Sequence, residues 1–313
     1  MDVATSENDI EQSIAQVYIQ ILYAAESVKV NENTLQVSEA QRDRGKQLLD
    51  AGSIARSDYA QLEAQVSTDR YQLVTAQATL QDYKLQLKQL LELDGEQEMQ
   101  VYLPALGDEN VLSPLPTKTD VFRSAVALRP EIEASKLSVE ASELGIGIAK
   151  SGYLPSVSLT AGIGTNHTSG SDFTFGEQVK NGWNNSIGLS ISVPIFNNRQ
   201  TKSAVEKAKL QYQTSQLTLL DEQKTLYKTI EGLGPDANSA QQRYAAAIEK
   251  LHSTQTSYEL VSEQFNAGMK NTVELLTEKN NLLQAQQELL QSKYMAILNT
   301  QLLKFYQGDK ITL

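Results

Sequence analysis

Leu49-Asp50-Ala51-Gly52-Ser53 and Phe265-Asn266-Ala267-Gly268-Met269 stand 216 residues apart, and a long helical pattern follows each. The acids behind them keep the same spacing, Asp58 falling on Glu274. So do the far ends of the two helical runs, Leu91-Glu92 falling on Gln307-Gly308. A period of this size exceeds any solenoid unit, which runs to about 50 residues. It reads as a duplicated half-molecule. The halves are unequal: the second contains a two-strand pattern at 153–197, and its counterpart would lie upstream of Met1. The expectation is a longer parent, truncated here at the N-terminus by a cut or an internal start, with the first strand pair missing.

Outward from the first turn, residues 7–50 carry a helical pattern without Pro, with Gly45 as its weak point. From Tyr59 a heptad holds. One seam is Tyr59, Val66, Leu73, Leu80 and Leu87; the other is Leu62, Asp69, Ala76, Tyr83 and Leu90. Every seam position except Asp69 is apolar or aromatic, the pattern of a coiled coil packed on the preceding helix. Outward from the second turn, residues 271–307 carry two adjacent apolar rows. Leu275, Leu282, Leu289, Ala296 and Leu303 form one; Leu276, Leu283, Leu290 and Ile297 form the other. Two rows require neighbours on two sides. Before that turn, a helix is expected from 198 to Asn266. Gly232, Gly234 and Pro235 lie inside it and predict a kink or short break, since a mid-helix Pro removes a hydrogen bond.

Residues 93–129 lose the helical period and are punctuated by Pro104, Gly107, Pro114 and Pro116, predicting a connector with a short strand near Met99–Leu103. Pro130 suits the first turn of a helix running to Lys150. The period then becomes two. Val157, Leu159, Ala161 and Ile163 alternate with Ser158, Thr160 and Gly162, and Ile187 through Ile195 alternate in the same way. Strands of this length with one apolar and one small polar face suit a transmembrane β-barrel; an ordinary soluble hairpin also fits the alternation. Tyr153, Trp183 and Phe196 lie near the strand ends, where aromatic girdles sit. The predicted organisation is a first helical hairpin (1–92), connector (93–129), upper helix (130–151), β-hairpin (152–198), second helical hairpin (199–308) and tail (309–313). The fold class is mainly α, with long antiparallel coiled-coil helices and one transmembrane-type β-hairpin.

Composition narrows the function. Lys and Arg number 27 against 38 Asp and Glu, a net charge of −11, and no basic stripe suits nucleic acid. There is no Cys, and the two histidines, His167 and His252, are isolated, so neither thiol chemistry nor a catalytic metal is expected. No nucleophile or phosphate-loop motif is present, and the chain reads as no enzyme, without a cofactor. The opening Met1-Asp2-Val3-Ala4-Thr5 is acidic and polar, unlike a signal peptide.

Together these residues resemble the TolC family of outer-membrane efflux and secretion ducts. Ser151-Gly152-Tyr153-Leu154-Pro155-Ser156-Val157-Ser158-Leu159 resembles the start of that family's barrel strand, and Leu189 to Phe196 its returning strand. Tyr59–Gln77 and Leu275–Lys293 resemble its two ascending helices. The resemblance implies a homotrimer whose protomers share one β-barrel and one periplasmic α-barrel. It also implies a periplasmic adaptor, an inner-membrane pump and outer-membrane lipid as partners. It places adaptor docking at Ala51, Gly52, Ser53, Ala267, Gly268 and Met269; plain helix termination accounts for the same glycines. It places the closing aperture at Asp58, Phe265, Lys270, Glu274 and Thr277. There the family's Tyr-Arg-Asp network is altered: Phe265 cannot donate a hydrogen bond and Lys270 cannot form a bidentate fork. An Asp58–Lys270 ion pair and an acidic Glu274 ring are the expected remnants, against a reading as solvated helix faces. Two strands per protomer would give six in a trimer, fewer than such a pore uses. A non-pore coiled-coil scaffold is the competing reading.

Overall fold

The computed structural model describes residues 2–93, 99–104, 106–107, 111–170 and 172–311. The chain order is α1 (Asp2–Asp50), α2 (Arg56–Leu90), α3 (Lys118–Leu128), α4 (Pro130–Ser151), β1 (Ser156–Gly164), α5 (Phe175–Asn181), β2 (Asn184–Ser192), α6 (Gln200–Asn266) and α7 (Thr272–Gln307). Two compact units result: 1–133 with 223–313, and 134–222. The mainly α class is as expected.

In the first unit, α1 and α2 form an antiparallel hairpin whose seam is the predicted heptad. All ten seam positions of α2 are buried or half-buried, and Leu62, Val66, Asp69 and Leu87 are the most enclosed. Gly45 does not interrupt α1. It admits Leu62: a Cβ at Gly45 would lie 2.3 Å from Leu62 Cδ1. None of the nine residues in the two rows of α7 is exposed, and α7 packs against α1, α2 and α3. Ile19 and Leu22 of α1, Val111, Ala240 and Tyr244 of α6, and Leu290, Tyr294, Ala296 and Ile297 of α7 make one apolar cluster. Leu62, Phe265 and Leu275 make another.

Three expectations are corrected here. The connector contains a helix, α3, whose Thr117 cap accepts from Asp120 N and which buries Val121 and Ala125. Residues 99–103 form no strand; the Tyr102 carbonyl accepts from the Tyr18 hydroxyl, and among the described residues no strand pairs with them. Residues 94–98, 105 and 108–110 of the connector, and 312–313 of the tail, lie outside the described residues. Pro235 does not break α6, which is continuous from Gln200 to Asn266. One lost hydrogen bond is outweighed because Leu226, Ile230, Ala237 and Ala240 on either side are buried.

In the second unit β1 and β2 pair antiparallel, Ser156 opposite Ser192 and Gly164 opposite Asn184. The second strand lies three residues earlier than predicted, ending before Val193-Pro194, where Pro lacks the donor a ladder needs. The loop between the strands contains α5, capped by Thr174 and Glu177. Beneath the hairpin, Thr201 Oγ1 donates to the Gly152 carbonyl at 3.3 Å, tying the chain's way in to its way out. Asn198 and Arg199 both take left-handed backbone angles, φ 52° and 64°, at the sharp turn into α6.

Seam burial gives a direct test. Leu62→Ala is expected to cost about 2–5 kcal/mol in chemical denaturation, whereas Gln77→Ala, on the exposed face of α2, stays within about 0.5 kcal/mol.

Candidate functional site

The two turns are the same object built twice. Gly52 and Gly268 take φ 71° and 75°, where a side chain is strained. Gly52 N donates to the Leu49 carbonyl and Ser53 N to that of Leu48; Gly268 N donates to Phe265 and Met269 N to Gln264, all at 2.8–2.9 Å. This is the paired closure that satisfies the last carbonyls of a helix ending in glycine. Three residues into the next helix, Asp58 Oδ2 accepts from Ala55 N at 3.3 Å and Glu274 Oε2 from Asn271 N at 3.2 Å. The match continues to the far ends. Glu92 N and Leu93 N close α2 on Gln89 and Lys88 as Gly308 N and Asp309 N close α7 on Phe305 and Lys304. Each of these contacts repeats after 216 residues.

Ala51, Gly52, Ser53, Ala267, Gly268 and Met269 are all exposed. The apolar cluster of Leu62, Phe265 and Leu275, backed by Leu48 and Val261, sits under both turns and holds them side by side. Phe265 is buried there, 2% exposed, and joins the hairpins through Leu62 and Leu275. Lys270 pairs with Glu274 on its own turn, both side chains part-exposed, rather than with Asp58; within the chain Asp58 serves its helix start. Thr277 is exposed and its hydroxyl donates to the Val273 carbonyl. Lys270 and the Asn271 N–H hold the Glu274 carboxyl below its ordinary range.

One buried cluster, around Asp69, escaped the sequence reading. Asp69, the odd polar residue of the seam, is 2% exposed at its side chain and pairs with Lys279 of α7, 4% exposed. Ser38 of α1 donates to the same Asp69 Oδ2 and accepts from Lys279 Nζ, while Gln65 donates to Oδ1 at 2.9 Å. Burial pushes the Lys279 ammonium down, and Asp69 opposes that shift. The signal was its apolar neighbours: a lone acid at a seam position needs a buried cation.

The hairpin sorts its side chains onto two faces, with Asn185, opposite Ile163, as the one polar residue on the apolar side. Val157 faces Ile191, Leu159 faces Leu189 and Ala161 faces Ile187 on one side; Ser158 faces Ser190 and Thr160 faces Gly188 on the other. The apolar side is bare, Leu189 and Ile187 being 67% and 83% exposed. No charged residue lies on either strand. His167 Nδ1 lies 3.1 Å from Gln178 Oε1. Among the described residues there is no metal-holding group of His, Cys, Asp or Glu, and no helix is long and apolar enough to cross a membrane.

Capped helical hairpins in one chain with a strand pair sorted in this way define the class of helical proteins that carry a short membrane-type β-hairpin. A family profile for outer membrane efflux proteins matches residues 121–308, and the chain belongs to that family. It is 25% identical over 308 residues to the outer membrane protein TolC of Escherichia coli, covering 94% of this chain and 60% of that protein. It is 22% identical to the alkaline protease secretion protein AprF of Pseudomonas aeruginosa, over 97% of this chain and 62% of that one. The chain thus spans about 60% of the length of the curated relatives it matches. The structure of CusC, described as forming a transmembrane channel, superposes with a TM-score of 0.81 over 97% of this chain and 69% of that one, at 19% identity.

Two tests follow from the turns. Gly52→Val or Gly268→Val costs about 1–2 kcal/mol in denaturant titration, while Asn at either position costs less, because Asn tolerates the left-handed conformation. Glu274, with its carboxyl lowered in the fold, contributes stability above the ordinary value of 4.5 that is lost as pH falls through the lowered one. Melting curves of Glu274→Gln are therefore expected to fall less steeply with pH below 4.5 than those of the native chain.

Proposed function

We propose that the protein is the outer-membrane duct of a tripartite efflux or secretion system: a passive channel, trimeric, energised by an inner-membrane pump and joined to it by a periplasmic adaptor. The observation that carries this reading is the β-hairpin. Each strand is nine residues long, close to the 9–11 that cross a bilayer when tilted by about 45°. One face, apolar but for Asn185, is uncovered by any other described residue, as lipid contact requires. The other bears only Ser, Thr, Gly and Asn, as a water-filled lumen allows. Two strands alone leave open edges, which hydrocarbon does not tolerate, so the hairpin needs further strands to close a barrel. A soluble scaffold would cover Ile187, Leu189 and Ile191 with protein, and no described residue of the chain does so.

The exposed turns suit docking of another helical hairpin end, since Ala51, Gly52, Ala267 and Gly268 let a partner backbone approach closely. In a trimer, three copies of Lys270 and Glu274 would ring the opening. The uncharged strand faces would leave ion preference to that ring.

Substitution on the two hairpin faces tests the reading. Leu189→Arg is expected to abolish recovery of the protein in outer membranes, because a charge on the lipid face costs about 2–4 kcal/mol near the midplane. Ser190→Arg, one residue on, is expected to insert normally. Equal insertion of both variants contradicts a bilayer location for the hairpin. In planar bilayers, in a form that carries the further strands the barrel needs, Glu274→Gln is expected to weaken cation preference without changing insertion.

A further inference from the structure

The buried cluster of Ser38, Asp69 and Lys279 departs from the duplication that governs the turns and helix ends around it. One repeat later, Asp69 becomes Ala285, Ser38 becomes Thr254, and Lys279 answers to Glu63 one repeat earlier. Ala285 is fully buried and Glu63 is exposed, so the second hairpin builds nothing equivalent. The cluster joins three helices from both hairpins: α1 and α2 supply Ser38 and Asp69, and α7 supplies Lys279. It forms the layer next to the apolar cluster under the turns. Lys279 lies one helical turn past Leu275, and Asp69 lies two turns past Leu62 on the same face.

A buried ion pair adds little net stability compared with an apolar pair of the same size, but breaking one is costly because a bare charge stays behind. Its effect is therefore on alternatives. Sliding α7 by one turn along the first hairpin would set Lys279 against apolar seam residues and leave Asp69 with only Ser38 and Gln65. Apolar rows with leucines every few residues would accept such a slide far more easily, as uniform coiled-coil seams do.

We propose that Ser38, Asp69 and Lys279 form a register lock, a charge cluster that fixes the second hairpin's ascending helix on the first hairpin and holds the two turns at one spacing. In a duct with its opening at the turns, the lock sets the resting width of that opening; this consequence rests on the function proposed above.

The chain has no Cys, so labels can be placed uniquely. Spin labels at Ser53→Cys and Met269→Cys, both exposed turn positions, report the spacing by pulsed electron paramagnetic resonance on the full chain diluted with unlabelled protein. Native protein is expected to give one narrow distance distribution. Lys279→Met lowers the melting temperature by about 10 °C and broadens the distribution. Asp69→Leu with Lys279→Met restores melting to near the native value but leaves the distribution roughly two-fold wider than native. Exchange of the charges, Asp69→Lys with Lys279→Asp, restores the narrow distribution. A native distribution in the folded double apolar variant overturns the lock. If that variant does not fold, the exchange variant decides: native width supports the lock, and width like that of Lys279→Met overturns it. Bilayer conductance of the same variants, in a form that carries the further strands the barrel needs, separates the two layers of the proposal. A wide spacing with raised closed-state conductance supports both, whereas a wide spacing with native conductance overturns the role at the opening and leaves the lock standing.

Discussion

Helix α7 carries apolar side chains on two adjacent rows, and such a helix is stable only where protein covers both. That requirement organises the first unit. The α1–α2 hairpin covers part of α7, and α3 covers more, which is why a helix forms in a connector too rich in Pro to suggest one. Toward its C-terminal end α7 is enclosed almost all round, with Ala296, Ile297, Leu302, Leu303 and Phe305 buried. Arg129, at the junction of α3 and α4, lies over the rings of Phe305 and Tyr306 at 4.4 and 4.2 Å and clamps that end. At its other end Leu275 anchors the cluster beneath the two turns.

Duplication shows most clearly in the shortest-range chemistry. The sequences of the two halves have diverged, yet the glycine closures, the acids at the third helical position and the far helix ends repeat bond for bond. These contacts depend only on local backbone geometry, so each half rebuilds them independently. Long-range contacts were free to differ, and they do. Phe265 fills the space between the hairpins where its counterpart Leu49 does not belong to that cluster, and the charge cluster exists once.

The hairpin lives under a different constraint. Its strands bury nothing against the described chain, and a two-stranded ribbon is at best marginal in water. Its side chains sort into one apolar and one small polar face with a single exception, Asn185 opposite Ile163, a division suited to two unlike environments. Membership of the outer membrane efflux protein family accords with that division.

Much of this was legible in the sequence because it is periodic or local. The heptad of α2 identified its buried face, the double row of α7 required two neighbours, alternation located the strands, and Gly52 and Gly268 marked the turns through their backbone needs alone. Tertiary structure decided the rest, because packing energy outweighs local preference. It carried α6 through Pro235, ended β2 at Ser192 where its partner ends, and turned Phe265 inward. It also gave Asp58 and Glu274 to their own helix starts, where each accepts from a backbone N–H three residues earlier. The partnership of Asp69 with Lys279 lay furthest from view: 210 residues separate the two charges, and only the folded α1, α2 and α7 bring them together.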